Sequence, residues 1–243
     1  MFLTNLPLHI SRKLQTIPFI HDFIRDLYCL FRPGIRATVC KTFKTSSQIC
    51  FLKIGANDGV RGDPLAEILL GDSRYRGVLV EPLPQFAKQL KQVYRDSNRF
   101  QIVEAAITDS DGENDIYFFD ESKLSCSEFL AWYREIASLD KQHLIDHLPT
   151  QFHDAITAKS VAALSVSTLL QQTGISSLNL LHIDTEGHDF CILRQFDLET
   201  YRPEIIIVEH KHLTNNDKTA MRNYLKCAGY TVRELEADFL ATF

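Results

Sequence analysis

From residue 48 onward, short apolar runs alternate with longer stretches that have the residue pattern of helices. Runs such as ICFLKI and EIIIVE are continuously apolar, which is typical of strands covered by helices on both faces. They predict strands over Ile49–Ile54, Gly77–Glu81, Phe100–Glu104, Leu178–Asp184 and Glu204–Glu209. The stretches between them predict helices over Pro64–Leu70, Pro84–Arg95, His188–Phe196 and Asn215–Ala228. Asp63 followed by Pro64 is a cap with proline at the first helical position. The alternation predicts a single doubly wound, mainly parallel α/β sheet.

Two regions depart from this alternation. Residues 1–45 form a predicted N-terminal helical extension, in which apolar residues recur every three or four positions up to Phe31 and Pro33-Gly34 stops the pattern. Packing against the main domain at 46–243 is favoured over a membrane-surface or partner-docking helix, because basic residues are few. The second region is a polar and aromatic insert at about 121–158, predicted to be helical, which follows a turn at Asp111-Gly112 and a strand over Asp115–Phe119 paired antiparallel.

Composition narrows the class of protein. The 243 residues are 45% hydrophobic and 23% charged, as in soluble globular proteins, and the net charge of -5 argues against a nucleic-acid binder. The six cysteines are scattered without ligand-like spacing, which favours free thiols in a reducing compartment. Charged residues interrupt every apolar run before signal-peptide or membrane-span length. We therefore expect a cytoplasmic enzyme with no membrane span.

A glycine loop follows the first predicted strand and precedes a helix. It comprises Gly55, Ala56, Asn57, Asp58 and Gly59. Glycines there allow a tight turn and a close approach of the backbone to a ligand. Glu81 ends the next strand 22 positions after Gly59, the place of a carboxylate that binds ribose hydroxyls. Together the loop and Glu81 predict a cofactor that contains adenosine.

Two later strands run into clusters of ionisable residues. The fourth strand ends in Asp184-Thr185-Glu186-Gly187-His188-Asp189, and the fifth in Glu209-His210-Lys211-His212. Ligands of open α/β sheets bind beyond the carboxyl ends of strands, so both clusters are candidate functional sites. A structural alternative for the first cluster is a strand end followed by residues that cap a helix.

The ordered series IGANDG, VLVEPLP, EAAITDSDGE, LLHIDTEGHD and IIIVEHKHL resembles the FkbM family of S-adenosylmethionine-dependent methyltransferases over about residues 48–236. The resemblance implies a class I methyltransferase, Rossmann-like sheet of seven strands with the last antiparallel. It also implies S-adenosylmethionine as cofactor and methyl transfer to a hydroxyl of a sugar, glycan or small natural-product acceptor.

The resemblance also implies roles for single residues. Gly55 to Gly59 would line the methionine and ribose side of the cofactor, Glu81 would hold the ribose, and Pro82 would shape the adenine edge. Ala105, Ala106 and Ile107 would contact the adenine, and Asp184 and Glu186 would face the methionine end or the acceptor. Lys53 departs from the pattern, since many relatives have an acid there. Asp184 is then the candidate to bind the amino group of the cofactor.

A hydroxyl acceptor loses a proton as it attacks, and Asp184, His210 and His212 are the candidate bases. A divalent metal could use His182, Asp184, Glu186, His188 and His210, but their spacing matches no metal motif and no metal is predicted. His143 and His147 have helical i, i+4 spacing and are interpreted as a solvated or lid-facing pair.

Two other functions remain open at this stage. A nicotinamide-dependent oxidoreductase would also need a glycine loop and a ribose-binding acid, although GANDG lacks the full GxGxxG spacing. An inactive nucleoside-binding module would explain Lys53. The acceptor itself is expected to meet the insert, where Trp132 and Tyr133 offer aromatic faces to a sugar or belong to a folded lid. The sequence gives no signal for the oligomeric state.

Overall fold

A computed structural model describes residues 34–96, 98–124 and 131–243, without the side chains of residues 131 and 132. The chain divides into two compact units, residues 1–44 and 45–243. In the first unit, helix α1 spans Ile35–Thr42 and begins directly after Gly34. The helical pattern predicted up to Phe31 lies outside the described residues.

The second unit is built on a seven-stranded sheet with the order β10-β11-β9-β8-β1-β2-β3. Its parallel strands are β1 (Ile49–Ile54), β2 (Tyr75–Val80), β3 (Phe100–Val103), β8 (Leu180–Ile183) and β9 (Ile205–Glu209). Strands β10 (Thr231–Glu234) and β11 (Asp238–Thr242) follow, and β11 pairs antiparallel with both β9 and β10. The last strand is therefore the antiparallel one, and the predicted seven-stranded, mainly parallel sheet is confirmed.

Helices connect the parallel strands as the alternation predicts. They are α2 (Ala66–Gly71), α3 (Pro84–Val93), α5 (Val166–Thr173), α6 (Asp189–Leu193) and α7 (Asn215–Cys227). Strands β8 and β9 are buried along their whole length, and one large apolar cluster joins β1, β2, β8 and β9 to α5, α6 and α7. This burial on both faces explains why the strand sequences are continuously apolar.

Two predicted helix starts are early: α6 begins at Asp189, one residue after His188, and the larger difference is at α2. Helix α2 begins at Ala66 and not at Pro64. Asp63 does accept a hydrogen bond from the main-chain N–H of Leu65, but its other contact is an ion pair with Lys53 inside the protein. The carboxylate therefore forms a turn before the helix and also neutralises a buried lysine.

A second, four-stranded sheet has the order β4-β7-β5-β6. Its strands are β4 (Ala106–Ile107), β5 (Gly112–Phe119), β6 (Ala137–Ser138) and β7 (Ile156–Leu164). The strand predicted over Asp115–Phe119 is part of β5, which pairs antiparallel with β7. The insert is less helical than predicted, because 3₁₀ turns and strand residues surround helix α4 (Lys141–His147). Its apolar residues, among them Tyr133 and Phe152, form a separate cluster with Phe119 of β5.

Within the described part of the chain, no helix has both the length and the apolar character needed to cross a membrane.

Candidate active site

A cleft lies at the carboxyl ends of β1, β2 and β8, next to the point where the strand order reverses between β1 and β8. The main sheet supplies one side of the cleft, through Lys53–Asn57, Val80–Pro82 and Asp184–Glu186. The region of the second sheet supplies the other side, through Ala105–Ile107, Ile116, Glu135 and Ala137–Leu139. Arg61, Gly62, Asp63, Phe86 and His188 complete the lining.

Gly55 brings the loop after β1 into close contact with the end of β8. Its φ is +79°, and a Cβ at this position would lie 1.6 Å from the carbonyl oxygen of Asp184. The N–H groups of Gly55 and Ala56 both donate to the carbonyl of Val80, 3.0 Å away. Only glycine fits between these neighbours, so the missing side chain allows the loop to pack against the end of β8.

Asp58 and Gly59 lie at the back of the glycine loop and not on the cleft, although the resemblance implies that both bind the cofactor. The Asp58 carboxylate accepts hydrogen bonds from the N–H groups of Val60 and Arg61 and pairs with the Arg61 guanidinium. A Cβ on Gly59 would lie 2.5 Å from Leu90, and the Tyr94 hydroxyl donates to the Gly59 carbonyl. Neither residue lines the cleft, and both shape the loop from behind it.

Glu81 lies at the end of β2 and lines the cleft beside Pro82. One carboxylate oxygen accepts the N–H of Asn57 at 2.8 Å and the other accepts the N–H of Leu83 at 2.9 Å. Burial raises the pKa of Glu81 to about 7, and the two N–H groups and nearby Lys53 oppose the rise. Glu81 therefore holds the glycine loop to the end of the neighbouring strand.

Lys53 also lines the cleft, and more than nine-tenths of its side chain is buried. Its ammonium is 3.1 Å from an Asp63 oxygen and 3.0 Å from Nδ1 of His182. The pKa of His182 is well below its usual value because the ring is buried and Lys53 is adjacent. The second oxygen of Asp63 is buried without a hydrogen-bond partner among the described residues. Asp63 thus brings a carboxylate to the cleft, although position 53 itself is a lysine and not an acid. A lysine inside a predicted buried strand needs an acidic partner, and this was the signal in the sequence for such a residue.

The loop after β8 places Asp184 and Glu186 on the cleft. Asp189, which is fully buried, accepts hydrogen bonds from the N–H groups of Thr185 and Gly187 at 2.8 and 3.0 Å and fixes the loop. Glu186 has a φ of +55°. Burial, together with the charges of Asp189 and Glu186, raises the pKa of Asp184 well above that of an exposed aspartate, and Lys53 opposes the rise.

The predicted histidines separate into three environments. His210 is buried beside Phe239, its Nε2 is 3.2 Å from the carbonyl of Leu235, and it does not line the cleft. His188 lines the cleft, and its Nε2 is buried without a partner in the described structure. His212 lies 3.1 Å from Glu186 and 3.5 Å from Glu209.

The set considered for a metal in the sequence does not come together, because His182 faces Lys53 and His210 faces Leu235. A different set does. His143 and His147 of α4 pack against His212, with ring centroids 4.5 and 4.8 Å from it, and His143 lies 3.2 Å from Glu186. His143 is therefore not solvated, and helical spacing alone did not reveal that its partners are about 43 to 69 residues away along the chain.

The model of the methyltransferase FkbM domain matches residues 53–232, about three quarters of the chain. The chain belongs to the FkbM methyltransferase family. The resemblance seen in IGANDG, VLVEPLP and the later motifs is confirmed, and all of these motifs lie within or at the edge of the matched range. No curated protein sequence matches this FkbM methyltransferase significantly.

Solved structures similar to this FkbM methyltransferase include the precorrin-6y C5,15-methyltransferase of Geobacter metallireducens GS-15. It shares 14% identity at a TM-score of 0.40, with 86% of each chain covered. The METTL16 MTase domain shares 10% identity at a TM-score of 0.42, with 86% of this chain and 65% of that chain covered.

Membership in the FkbM family implies S-adenosylmethionine as methyl donor, and the residues of the cleft fit it. Gly55 lets the loop after β1 pack directly against the end of β8, where a side chain would collide with the Asp184 carbonyl. Glu81 offers carboxylate oxygens at the end of β2, and Asp63 keeps one buried oxygen for a positively charged donor. The strand-end position, the glycine loop and the two carboxylates fit a nucleoside with an amino-acid tail.

Proposed function

We propose that this FkbM-family methyltransferase transfers a methyl group from S-adenosylmethionine to a hydroxyl oxygen of a small-molecule or glycan acceptor. The observation that supports a hydroxyl acceptor is Asp184, a carboxylate that lines the cleft beside the glycine loop and titrates closer to neutral pH than usual. A hydroxyl must lose its proton as it attacks, and a base is most effective when its pKa is near the working pH. Asp184 is thus the proposed general base.

The cofactor-binding side of the proposal uses residues of the main sheet together with Ala105–Ile107, which lie at β4 of the second sheet. Glu81 accepts hydrogen bonds from the ribose hydroxyls, Ala105, Ala106 and Ile107 contact the adenine beside Pro82, and Gly55 to Asn57 line the sulfonium side. Asp63 accepts the amino group through the oxygen that Lys53 does not engage, which leaves Asp184 for the acceptor. The cofactor supplies an electrophilic methyl group, and the residues around it supply position and charge.

The acceptor side is formed by the short segment from Glu135 to Leu139, which faces the glycine loop across the cleft. The Asn57 amide donates to the Glu135 carbonyl at 3.3 Å, and the Ser138 hydroxyl donates to the Glu186 carbonyl at 3.0 Å. These contacts fix the segment next to Asp184 and Glu186. Tyr133 is buried in the apolar cluster of the insert, which favours the folded-lid alternative for this residue, and the side chain of Trp132 lies outside the described residues.

Most of the proposed acceleration comes from alignment. Holding two reactants in an attacking geometry reaches effective concentrations of about 10⁵ M or more, and a positioned base adds about 10²–10⁴-fold. Replacing Asp184 with asparagine should therefore lower kcat about 10²–10⁴-fold while S-adenosylhomocysteine binding changes only a few-fold. His210→Ala should leave kcat within a few-fold, since the ring does not reach the cleft. Equal kcat values for Asp184→Asn and the parent protein would rule out this assignment of the base.

Calorimetry tests the cofactor directly. We expect micromolar binding of S-adenosylhomocysteine and none of NAD. Glu81→Gln should weaken binding about 10–100-fold, because a hydrogen bond to a charged group is worth about 1.5–3 kcal/mol. Glu104→Gln is the matched control, since Glu104 follows the neighbouring strand but is exposed and pairs with Lys91. Binding of NAD alone, or equal losses in both variants, would contradict the proposal.

The acceptor class is tested with labelled S-adenosylmethionine and panels of hydroxylated sugars and small natural products. Methyl ethers resist mild base, whereas methyl esters are cleaved by it. Label that survives base treatment and is bonded to oxygen supports hydroxyl methylation. Label that appears only in base-labile products, or only on nitrogen, would refute the hydroxyl acceptor while the donor site stands.

A further inference from the structure

Five side chains that could bind a metal converge beside the cleft, from parts of the chain that are far apart in sequence. Helix α4 of the insert supplies His143 and His147, and the loop after β8 supplies Glu186. Strand β9 ends in Glu209, and His212 follows three residues later. Possible ligand atoms of His143, His147 and His212 lie within 4.8 Å of one another, as do those of Glu186, Glu209 and His212. We call this group the His–Glu cluster.

The distances inside the His–Glu cluster match the spacing between ligands of one ion. An Oε2 atom of Glu186 is 3.2 Å from Nε2 of His143 and 3.1 Å from Nε2 of His212, and the latter is 3.5 Å from Oε1 of Glu209. Ligand atoms bound at about 2.0–2.2 Å in a tetrahedral site lie about 3.3 Å from each other. These contacts run in a chain from His143 through Glu186 and His212 to Glu209. One ion can therefore contact Glu186, Glu209 and His212 with small side-chain adjustments, and His143 reaches the same ion by a movement of its side chain.

Two further observations favour an ion over a set of hydrogen bonds. The side chain of Glu209 is 8% exposed, and its Oε2 is buried without a hydrogen-bond partner among the described residues. A buried carboxylate oxygen without a partner is unfavourable unless a cation compensates it. Separately, Nδ1 of His147 lies 2.7 Å from the carbonyl oxygen of His143. Because a carbonyl only accepts, Nδ1 carries the proton and Nε2 keeps its lone pair, as in histidines that bind metals.

We propose that the His–Glu cluster binds a divalent first-row transition metal ion, with His143, His212, Glu186 and Glu209 as ligands and His147 able to join them. Two or three imidazoles with carboxylates suit Zn²⁺, Fe²⁺, Co²⁺ or Mn²⁺ better than Mg²⁺ or Ca²⁺, which prefer all-oxygen sites. The ion ties the insert to the ends of β8 and β9. Because Glu186 also lines the cleft, the ion lies on the acceptor side of the cleft. The location on the acceptor side rests on the proposed function, whereas the metal site itself does not.

The test uses the whole protein stripped with a chelator and then titrated with Co²⁺, without S-adenosylmethionine or acceptor. We expect one equivalent to bind with a visible d–d absorption spectrum, to be displaced by Zn²⁺, and to raise Tm. His143→Ala and Glu209→Gln should each weaken binding by more than the roughly 10–100-fold that loss of an outer-shell partner costs. His153→Ala is the matched control, because this histidine of the same insert contacts the carbonyl of Leu148 and lies outside the cluster.

Absence of stoichiometric Co²⁺ and Zn²⁺ binding by the parent protein would overturn the proposal, as would equal affinity in His143→Ala and His153→Ala. The parent titration needs no variant, so a variant that fails to fold does not obscure the result. S-adenosylhomocysteine calorimetry on the stripped protein separates this proposal from the donor site. Donor binding without metal binding removes the His–Glu site alone, and metal binding without donor binding removes the proposed function alone.

Discussion

Gly55→Ala is the sharpest single test of the geometry that forms the donor site. The alanine Cβ would lie 1.6 Å from the carbonyl oxygen of Asp184, about half of an ordinary contact distance. Relief of this clash must move the end of β8 away from the glycine loop and strain the 3.0 Å hydrogen bond from Asp184 N–H to the Ile54 carbonyl. Overpacking costs about 1–3 kcal/mol and a lost hydrogen bond about 1 kcal/mol. The left-handed backbone adds about 1–2 kcal/mol, for a total of about 3–6 kcal/mol.

Gly62→Ala is the matched control for this prediction. Gly62 also lines the cleft and has a φ of +66°, but a Cβ there meets nothing within 4 Å. Its loss should be only the backbone contribution of about 1–2 kcal/mol. Urea unfolding followed by circular dichroism gives both free energies of unfolding, and calorimetry gives the binding of S-adenosylhomocysteine. Equal destabilisation of the two variants would show that the close approach of Gly55 to Asp184 is not a feature of the protein in solution.

Three further predictions follow from the buried charges. Burial raises the pKa of Glu81 to about 7, and the proposed contact with ribose hydroxyls needs the deprotonated carboxylate. The affinity for S-adenosylhomocysteine should therefore fall about tenfold from pH 8 to pH 6, and calorimetry on Glu81→Gln should give a flatter profile. Lys53→Met should destabilise the protein by about 3–5 kcal/mol in urea unfolding, because it removes the partner of a buried carboxylate. Adding Asp63→Asn should recover part of that loss, and no recovery would argue against the ion pair. The asparagine of Asp189→Asn can accept only one of the two loop N–H groups that Asp189 accepts. We expect the free energy of unfolding to fall by about 1–3 kcal/mol and amide exchange to become faster in the loop at 184–188 alone. Unchanged exchange in that loop would disprove the role of Asp189 in fixing it.

The central strands of the main sheet could be predicted from the sequence because each is marked by a local apolar pattern. The bounds of β1 were predicted to the residue, and those of β9 within one residue, since both strands are continuously apolar and end at charged or glycine-rich segments. Strand β7 was missed. Its sequence ITAKSVAAL is rich in small and polar residues and is buried at only a few positions, so neither propensity nor alternation marks it. Its eight-residue pairing with β5 depends on a partner far away in the chain.

The site shows the same division. The loop at Gly55, Glu81 and Asp184 could be located because strand ends in a parallel sheet share one edge. The role of Asp63 was hidden, since an aspartate before proline is also a good helix cap and only the fold brings it to Lys53. The meeting of His143 with His212 depends on how the insert folds back over the sheet, which no local pattern encodes.

The second sheet leaves the main sheet after β3 and returns at α5 in one continuous excursion of the chain. It has its own apolar centre, where the rings of Phe119, Tyr133 and Phe152 meet edge to face at 5.5–6.0 Å. The segment at 135–139 that faces the cleft therefore belongs to the second sheet, and the hydrogen bonds from Asn57 to Glu135 and from Ser138 to Glu186 connect it to the loops after β1 and β8. In directed evolution we therefore expect substitutions of partly exposed side chains in that segment to change the specificity for the proposed acceptor, with little effect on S-adenosylhomocysteine binding.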